Sequence, residues 1–342
     1  MRKIIITTGY MLSGSSAATD LVSEFENVSN QFGSFEYIFL HCPNGVFDLE
    51  DKLLRNNNSI RSDEALRTFK EEMRALYSKK LWWPANYKKN LSPNFYKIVN
   101  EYCEELIDVK TTSLWYNQQK PTTLIMNLKI ILYKILKKLT FNKIYIGQPL
   151  RYKNMVLCYK DDKEFYNISK KFINNVINDM DINGNNDMLM DQLLLPHNLY
   201  RMENYFDDNA KVIVVERDPR DVFILNKYKY RLLGSDVPFS FNVEDFCKQY
   251  KALRNNEEII ENKNILRVKF EDFVYKYDEI EKKVADFLGY NLKKHTRKFE
   301  RFDPKKSIMN TQVYLKNEKY NQEIAYIEEH LKNYLYDFDK YK

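Results

Sequence analysis

The residues near the N-terminus that could do chemistry form a pattern suited to binding an anion. Gly9 and Gly14 are separated by four residues and followed by Ser15 and Ser16, which matches the spacing of a phosphate-binding P-loop. Such a loop surrounds phosphate oxygens with backbone N–H groups and a helix N-terminus. Ser15 stands where the P-loop has its lysine, which argues against phosphoryl transfer, because that reaction relies on the lysine charge. The alternative is a Ser/Gly-rich turn that only caps a helix.

A second set of charged residues follows a stretch of apolar residues in the C-terminal third of the chain. Residues 212–216 predict a buried strand, and Arg217 stands at its C-terminal end, where ligands bind in open α/β sheets. Asp218 is a good N-cap and Pro219 a good first-turn residue, so a helix should begin there. Arginine beside a helix N-terminus is suited to binding phosphate. A local salt-bridge network with neighbouring carboxylates is the alternative, which stays open above all for Arg220.

The predicted elements around these residues alternate as in a parallel sheet. Residues 4–6 predict a buried strand before the loop, and residues 17–26 an amphipathic helix after it. Residues 35–40 predict a second strand that ends at His41, and residues 44–61 a loop. The C-terminal third predicts strands at 211–216 and 264–269, and helices at 219–232, 243–261, 277–288 and 318–335, with Gly289 at a helix C-terminus. The fold class is therefore α/β, a parallel sheet flanked by helices.

The middle of the chain predicts a mainly helical insertion, residues 62–181, within a single domain that spans residues 1–342. Helices are predicted at 62–79, 95–106, 121–139 and 162–181, and short β-like runs at 143–146 and 155–159. Residues 183–186 form the clearest break. The apolar stretch 124–136 is too short to span a membrane and carries lysines. We expect a core-packed helix there, with a membrane-surface helix as the open alternative.

Composition narrows the class of partner. The 342 residues include 54 basic and 48 acidic side chains, a net charge of +6 that suits an anionic small molecule. No block of Lys and Arg interleaved with aromatic residues predicts nucleic-acid binding. The four cysteines form no CxxC pair, so neither a zinc site nor a disulfide framework is expected, and a reducing compartment is favoured. We expect a cytoplasmic protein without a signal peptide, because a strand begins by residue 4.

Together, the Ser-Gly-Ser-Ser loop and the Arg-Asp-Pro-Arg-Asp turn resemble the PAPS-dependent sulfotransferases, in particular a bacterial carbohydrate-sulfotransferase-like branch. Residues 265–273 resemble the family's strand that ends in Tyr/Phe-Glu-Asp-Leu, and residues 303–310 its late cofactor-binding loop. The resemblance covers residues 1–50 and 187–340. It implies a P-loop-NTPase-like sheet with the donor PAPS across the strand C-termini, and in-line transfer of a sulfuryl group without a metal.

The resemblance also implies which residues hold the donor. For the 5′-phosphosulfate these are Ser13, Gly14, Ser15, Ser16 and Ala17, and for the rest of the donor Arg217, Asn226, Lys305, Ser307 and Asn310. This sequence lacks two residues that the cytosolic members of the family use. Leu12 stands at the position of their loop lysine, and Leu225 at the position of the serine that binds the 3′-phosphate. Asn226 is the expected replacement for that serine. A replacement cation is expected from Arg217, Lys227, Lys305 or Lys306.

Sulfuryl transfer needs a general base near the acceptor hydroxyl. Four residues are candidates. His41 follows the predicted second strand, and His197 and Asp191 precede the strand that leads to Arg217. Asp48, with Glu50 beside it, matches the carboxylate of carbohydrate sulfotransferases. The two histidines are favoured over Asp48, and His295 and His330 are expected to be solvated bystanders.

The leading hypothesis is a sulfotransferase that modifies a hydroxyl of a glycan, a glycolipid precursor or a small metabolite. Trp82, Trp83, Tyr87 and Trp115 are candidates to stack on a sugar ring, although such residues more often lie in the core. The alternatives are a P-loop kinase of a nucleotide or metabolite and a non-catalytic nucleotide-binding scaffold. Nucleic acid and a transmembrane segment are not expected. Peripheral membrane contact and the oligomeric state stay open.

Overall fold

A computed structural model describes residues 2–30, 35–181, 186–234 and 237–341. Of the predicted break at 183–186, only Asn186 lies within these residues. The chain divides into two compact units, one made of residues 1–42, 76–95 and 173–342 and the other of residues 43–75 and 96–172. The single domain with an insertion over 62–181 stays a prediction.

The first unit is built around five parallel strands, which confirms the predicted α/β fold class. Their order across the sheet is β2-β5-β1-β6-β7, and a separate antiparallel pair, β3-β4, lies in the second unit. The strands are β1 Ile4–Gly9, β2 Val28–Ser29, β3 Val109–Thr111, β4 Met155–Leu157, β5 Asp187–Asp191, β6 Ala210–Glu216 and β7 Ile265–Lys269.

Helices connect and cover these strands. In chain order they are α1 Ser16–Ser23, α2 Val46–Glu50, α3 Ser59–Ser78, α4 Tyr87–Asn90, α5 Phe95–Leu106, α6 Tyr116–Gln119, α7 Leu124–Leu139, α8 Asp162–Met180, α9 Met202–Tyr205, α10 Pro219–Ile224, α11 Val243–Asn255, α12 Phe270–Tyr275, α13 Tyr277–Leu288, α14 Pro304–Ser307 and α15 Asn321–His330. After α10 the chain continues as a π-helical segment, Leu225–Tyr230.

Two apolar clusters hold the helices of the first unit in place. One joins α1 and α13 to the sheet through Ile5, Ile213 and Val215. The other joins α10, α11 and α15. Every residue of β1 is buried, as expected of a central parallel strand covered on both faces. The register sets Thr7 beside Asp191 and Gly9 beside Val215, so the carboxyl ends of β1, β5 and β6 meet at one edge.

The predicted strand at 35–40 is wrong. Glu36 makes only an isolated parallel bridge to Asp191, while the Tyr37 N–H donates to the Asp191 carbonyl and the Ile38 N–H to the Tyr87 hydroxyl. These consecutive N–H groups bond to two different elements, β5 and the Tyr87 side chain, so no ladder forms. The short strand β2 pairs with β5 instead.

Two further predictions within the second unit are wrong. Residues 44–61 were expected to be a loop, but they hold α2, the π-helical segment Asp51–Arg55 and the first turn of α3. Val46, Phe47, Leu49 and Leu53 are buried there, which explains why the segment is ordered as helix. Residues 143–146 form no strand.

The expected core packing of helix α7 is also wrong. Eight of its nine leucine and isoleucine side chains are exposed, and Met126 is its one fully buried residue. None of the helices among the described residues combines the length and apolarity needed to cross a membrane.

His295 was expected to be solvated, but its ring is buried in the first unit. Its Nε2 lies 2.7 Å from a Glu24 carboxylate oxygen and its Nδ1 lies 2.6 Å from one of Glu281. The Phe25 ring stacks on it at a centroid distance of 4.4 Å. Burial lowers the pKa of His295, but the hydrogen bonds that its ring donates to the two carboxylates outweigh burial and raise the pKa overall. His295 is therefore part of a buried ionic cluster.

Candidate functional site

The predicted anion-binding loop lies between β1 and α1. The Ser13 N–H donates to the Tyr10 carbonyl at 2.9 Å, and the Ala17 N–H donates to the Gly14 carbonyl at 2.9 Å. The loop thus turns tightly and delivers the amides of residues 14–16 to the N-terminus of α1. Amides at that position have no partner within the helix, so they are available to an anion.

Both glycines of the loop are required by close approach. Gly14 has a φ of +78°, and a Cβ added there would lie 2.7 Å from the Cδ2 atom of Phe270. A Cβ on Gly9 would lie 2.2 Å from Ser13 Oγ and 2.5 Å from the Val215 carbonyl oxygen. The spacing noted in the sequence is therefore imposed by packing against β6 and α12.

The loop lines a cavity of about 380 Å³ at the carboxyl edge of the sheet. It is lined by residues 9–16, by Arg217 and Tyr230, and by Glu36, Asp191, Gln192 and Leu195. Ligands are expected at this edge of an open parallel sheet. Because β1 lies between β5 and β6, Asp191 at the end of β5 and Arg217 just after β6 flank the loop from opposite sides.

Three of the residues that line this cavity carry a buried polar atom with no hydrogen-bond partner within the described part of the chain. The atoms are the Tyr10 hydroxyl oxygen, Ser13 Oγ and Arg217 Nε, and the Ser13 and Arg217 side chains are only 2% and 5% exposed. A buried polar group without a hydrogen-bond partner costs free energy, so such a group usually has a partner when a ligand is bound. Their position beside the loop amides fits the phosphosulfate of the predicted donor.

Arg217 also connects the loop to the late segment. Its Nη1 donates to the Leu12 carbonyl at 3.3 Å and its Nη2 to the Asn310 carbonyl, while its guanidinium carbon lies 4.4 Å from the centre of the Phe270 ring. Leu12, where the family lysine is missing, has a φ of +62°. The guanidinium therefore brings a positive charge to the loop that lacks its lysine.

Arg220 forms salt bridges with neighbouring carboxylates, which was the alternative to anion binding. Its Nε and Nη2 donate to the two carboxylate oxygens of Asp218 at 3.0 and 2.7 Å, and its Nη1 donates to Glu328 at 2.7 Å. Asp218 caps α10 as predicted by accepting from the Arg220 N–H. Arg220 is thus part of the scaffold that fixes the start of α10, while Arg217 faces the cavity.

Sequence analysis missed Gln192, which joins three parts of the site. Its Oε1 accepts from the Thr8 hydroxyl at 2.9 Å and its Nε2 donates to Ser15 Oγ at 3.1 Å. Gln192 has a φ of +57°, a strained value for a residue that is not glycine. The signal could not be seen because β5 itself was not predicted, so nothing placed residue 192 at a strand end.

Asp191 is the one base candidate of the sequence analysis that lines the cavity. Its side chain is buried, and Thr7 Oγ1 donates to its Oδ1 at 3.3 Å. Burial and the neighbouring charge of Glu36 raise the pKa of Asp191 to about 7. Burial also raises the pKa of Glu36. A carboxyl with such a pKa exchanges a proton near neutral pH, as a general base must.

The other three base candidates have different surroundings. His41 Nε2 donates to the Gln192 carbonyl at 2.8 Å, and burial lowers the pKa of His41. His197 Nε2 donates to the Leu253 carbonyl at 2.9 Å. Neither residue lines the cavity. Asp48 lies in the second unit, where its carboxylate accepts from the Asn44 N–H at 2.6 Å.

The residues assigned to the rest of the donor separate into two groups. Asn310 lies beside Arg217, and its Oδ1 accepts from Lys229 Nζ at 2.9 Å, a cation that sequence analysis missed. Asn226 is buried, and its side-chain amide bonds to the backbone of Phe239. Lys305 is exposed, Ser307 is half-buried in α14, and Lys227 pairs with Glu323. The structure thus brings Asn310 but not Asn226 to Arg217.

Comparisons with known proteins identify the family. The family model described as "Sulfotransferase family" matches residues 51–294, well over half of the chain. This match includes Asp191, Gln192 and Arg217 and covers all of residues 60–180, in which the sequence alone showed no motif of the family. A search of curated proteins returned no match.

Solved structures with partial likeness include two sulfotransferase domains, one from the curacin biosynthetic pathway and one from the Synechococcus PCC 7002 olefin synthase. The curacin-pathway domain is 15% identical with a TM-score of 0.38, and the match covers 89% of this chain and 80% of that one. The olefin-synthase domain is 14% identical with a TM-score of 0.36, and the match covers 92% of this chain and 82% of that one. Retinol dehydratase in complex with androsterone and inactive cofactor PAP matches at 15% identity and a TM-score of 0.32, covering 96% of this chain and 80% of that one. At these TM-scores we base the assignment on the family model. The chain belongs to the sulfotransferase family and is, as predicted, a PAPS-dependent sulfotransferase.

Proposed function

We propose that the cavity beside the N-terminal loop binds the phosphosulfate of PAPS and that Asp191 activates an acceptor hydroxyl there. The observation that carries this proposal is that one cavity is lined both by unpartnered buried donors and by a carboxyl group of raised pKa. Ser13 Oγ and Arg217 Nε are buried there without partners, and Asp191, with a pKa of about 7, lines the same cavity. Family membership in the sulfotransferases supports it.

The donor side is built to neutralise an anion without a lysine. The N–H groups of residues 14–16 converge at the start of α1, and the Ser13 and Ser15 hydroxyls lie among them. Arg217 adds a full positive charge, whose hydrogen bonds to an anion are stronger than neutral ones. Asn310 and Lys229 extend this positive side beyond Arg217.

The Gln192 side chain orients the Ser15 hydroxyl. Because Gln192 Nε2 donates to Ser15 Oγ, the Ser15 proton is left to point toward another acceptor. Thr8 in turn donates to Gln192 Oε1, which fixes the amide in this orientation. Ser15 therefore acts as a hydrogen-bond donor toward an anionic oxygen in the cavity.

Asp191 is the proposed base. PAPS supplies the sulfuryl group, and the acceptor oxygen takes it as the adenosine bisphosphate leaves. The ionised Asp191 carboxylate accepts the proton that the acceptor hydroxyl loses, and Thr7 holds that carboxylate in place. Burial, and after it the charge of Glu36, raises the pKa of Asp191 enough for this role, because both disfavour the ionised carboxylate.

The alternatives to a sulfotransferase are a P-loop kinase and a non-catalytic nucleotide-binding scaffold. The family match favours sulfuryl transfer over both. Ser15 at the lysine position also argues against a kinase. The Asp191 carboxyl, with its raised pKa in the same cavity, argues against a non-catalytic nucleotide-binding scaffold, since donor binding alone needs no general base.

The acceptor and the location belong to this proposal too. We propose a hydroxyl of a glycan, a glycolipid precursor or a small metabolite. Exposed Trp82 and Trp83 support a sugar-bearing acceptor, whereas Tyr87 is buried in the core. A cytoplasmic location is supported by four cysteines that are buried and unpaired in disulfides.

The test is transfer of a labelled sulfuryl group. The purified chain is incubated with sulfur-labelled PAPS and, separately, with glycan, glycolipid and phenolic acceptors, and labelled product is separated from donor. We expect one acceptor class to be labelled by the wild type and not by the Asp191→Asn variant. Equal labelling by both proteins would overturn the assignment of the base.

A further inference from the structure

Helix α7 in the second unit exposes an unusual amount of apolar surface. Eight of its nine leucine and isoleucine side chains are between 42% and 82% exposed. Only the face that carries Met126, Ile130 and Tyr133 is turned toward the rest of the protein. Phe141, Ile144 and Tyr145, just after the helix, are also exposed. Isolated exposed apolar residues are ordinary, but a contiguous patch of this kind marks an interaction surface.

The exposed apolar side chains lie on one continuous face. At about 100° per residue, they fill an arc of roughly 140°, from Ile131 at one edge to Leu136 at the other. Lys138 and Lys129 lie just outside the two edges of this arc, and Lys134 and Lys137 lie beyond them. Lysine side chains at such edges extend their charged ends away from an apolar phase into which the helix face is buried.

The charged residues of α7 and of the segments next to it in the chain have a single sign. Residues 109–160 contain no Asp or Glu, although they include nine Lys and one Arg. The rest of the chain holds 44 basic side chains and all 48 acidic ones, so the positive excess of the whole chain comes from this segment. The apolar face is thus framed by positive charge alone, which complements an anionic surface.

We propose that α7 binds the surface of an anionic membrane, lying in the plane of the interface with its leucine and isoleucine face among the acyl chains. Sixteen residues of helix are about 24 Å long, shorter than the roughly 30 Å of a bilayer core, so α7 does not span. A second copy of the chain would set lysine-rich edges against each other, whereas anionic lipid headgroups pair with them. This inference is independent of the proposed donor site.

Vesicle flotation of the full chain tests the inference. We expect the wild type to float with vesicles of phosphatidylglycerol and phosphatidylcholine and to bind vesicles of phosphatidylcholine alone far more weakly. Each lysine near an anionic surface contributes about fivefold to binding, so the Lys129→Gln, Lys138→Gln double variant should bind roughly 25-fold more weakly. The Ile131→Glu, Ile135→Glu double variant should not bind at all.

The matched control is Ile259→Glu, which makes the same change at a residue outside α7 that is 71% exposed. It should float like the wild type, and circular dichroism should show that all variants are folded. Absence of wild-type binding to anionic vesicles overturns the proposal. So does a dimer by light scattering that the Ile131→Glu, Ile135→Glu variant dissociates, because the face would then be covered by a second copy.

Discussion

The Nε2 atom of Gln192 lies 3.1 Å from Ser15 Oγ, and this hydrogen bond joins the end of β5 to the loop between β1 and α1. The same side chain accepts from Thr8 at the end of β1. One glutamine therefore fixes the distance between the strand that carries Asp191 and the loop that is proposed to hold the donor.

Replacing Gln192 by Ala should weaken binding of adenosine 3′,5′-bisphosphate. The Ser15 hydroxyl would lose the bond that orients it, at a cost of about 1 kcal/mol or roughly fivefold in affinity. Calorimetric titration measures this change. Gln249→Ala, the same substitution beside the Ser240 backbone, is the control and should bind like the wild type. Equal affinity in all three proteins would show that Gln192 does not orient the loop.

Replacing Ser13 by Ala should separate affinity from stability. Ser13 Oγ has no partner among the described residues, so its removal should change the free energy of unfolding by less than about 0.5 kcal/mol. Loss of its bond to the donor anion should cost about 1.5 kcal/mol, or roughly tenfold in affinity. Ser169→Ala is the reciprocal control, because Ser169 bonds to the Tyr102 hydroxyl at 2.8 Å. It should lower stability and leave affinity unchanged, and the opposite pattern would remove Ser13 from the donor site.

Replacing Gly14 by Ala should damage both the fold and the donor site. The added Cβ would lie 2.7 Å from Phe270, and a φ of +78° is strained for alanine, so we expect a loss of about 1–3 kcal/mol in unfolding free energy. Urea denaturation measures the loss. Gly147→Ala is the matched control, since a Cβ there meets no atom within 4 Å. A Gly14 variant as stable as the Gly147 variant would contradict the described loop.

The rate of sulfuryl transfer should depend on the ionisation of Asp191. Burial and Glu36 raise its pKa to about 7, and only the carboxylate can act as a base. We therefore expect kcat/KM to rise with pH through about 7 and then to level off. Asp191→Asn should lose this rise together with most of kcat, while it still binds adenosine 3′,5′-bisphosphate.

The control for this pH profile is Glu36→Gln. It removes the charge that disfavours ionisation of Asp191, so the rise in kcat/KM should move to lower pH while the reaction is retained. A profile that does not move would show that the titrating group is not beside Glu36, and would return attention to His41.

The buried His295 should make stability depend on pH. The hydrogen bonds that His295 donates to Glu24 and Glu281 outweigh burial and raise the pKa of His295 above its unfolded value. The stabilisation is therefore fully present below a pH of about 6.5 and is lost as pH rises through the folded pKa. Urea denaturation across this range should show a decline for the wild type that is smaller in His295→Gln. His330→Gln is the control, and an identical decline in all three proteins would exclude the cluster as its source.

Local patterns in the sequence were enough to predict the elements that surround the proposed donor site. The glycine spacing of the loop, the buried run before Arg217 and the Asp218 cap each depend on neighbours in the chain, and the structure confirms the strand, the loop and the cap. The sheet class followed from the alternation of strands and helices in the C-terminal third. Donor contacts by these residues stay a proposal.

Features that depend on partners far along the chain were not predictable in this way. β5 is flanked by Asp187 and Asp191 and has two methionines, so it did not look like a central strand, and Gln192 was missed with it. His295 looked solvated because Glu24 is 271 residues away in the chain. The sequence of α7 predicted an apolar helix, but it did not show which face of that helix packs against the protein or how much of its apolar surface stays exposed.

Calorimetric titration with adenosine 3′,5′-bisphosphate, with ATP and Mg²⁺ as the comparison, tests the central claim most directly. The account predicts that the wild type binds the bisphosphate and not ATP. It also predicts that Arg217→Ala weakens binding by about 2 kcal/mol, or roughly 30-fold, while the exposed Arg151→Ala control does not. Binding of ATP in preference to the bisphosphate, or undiminished affinity in Arg217→Ala, would contradict it.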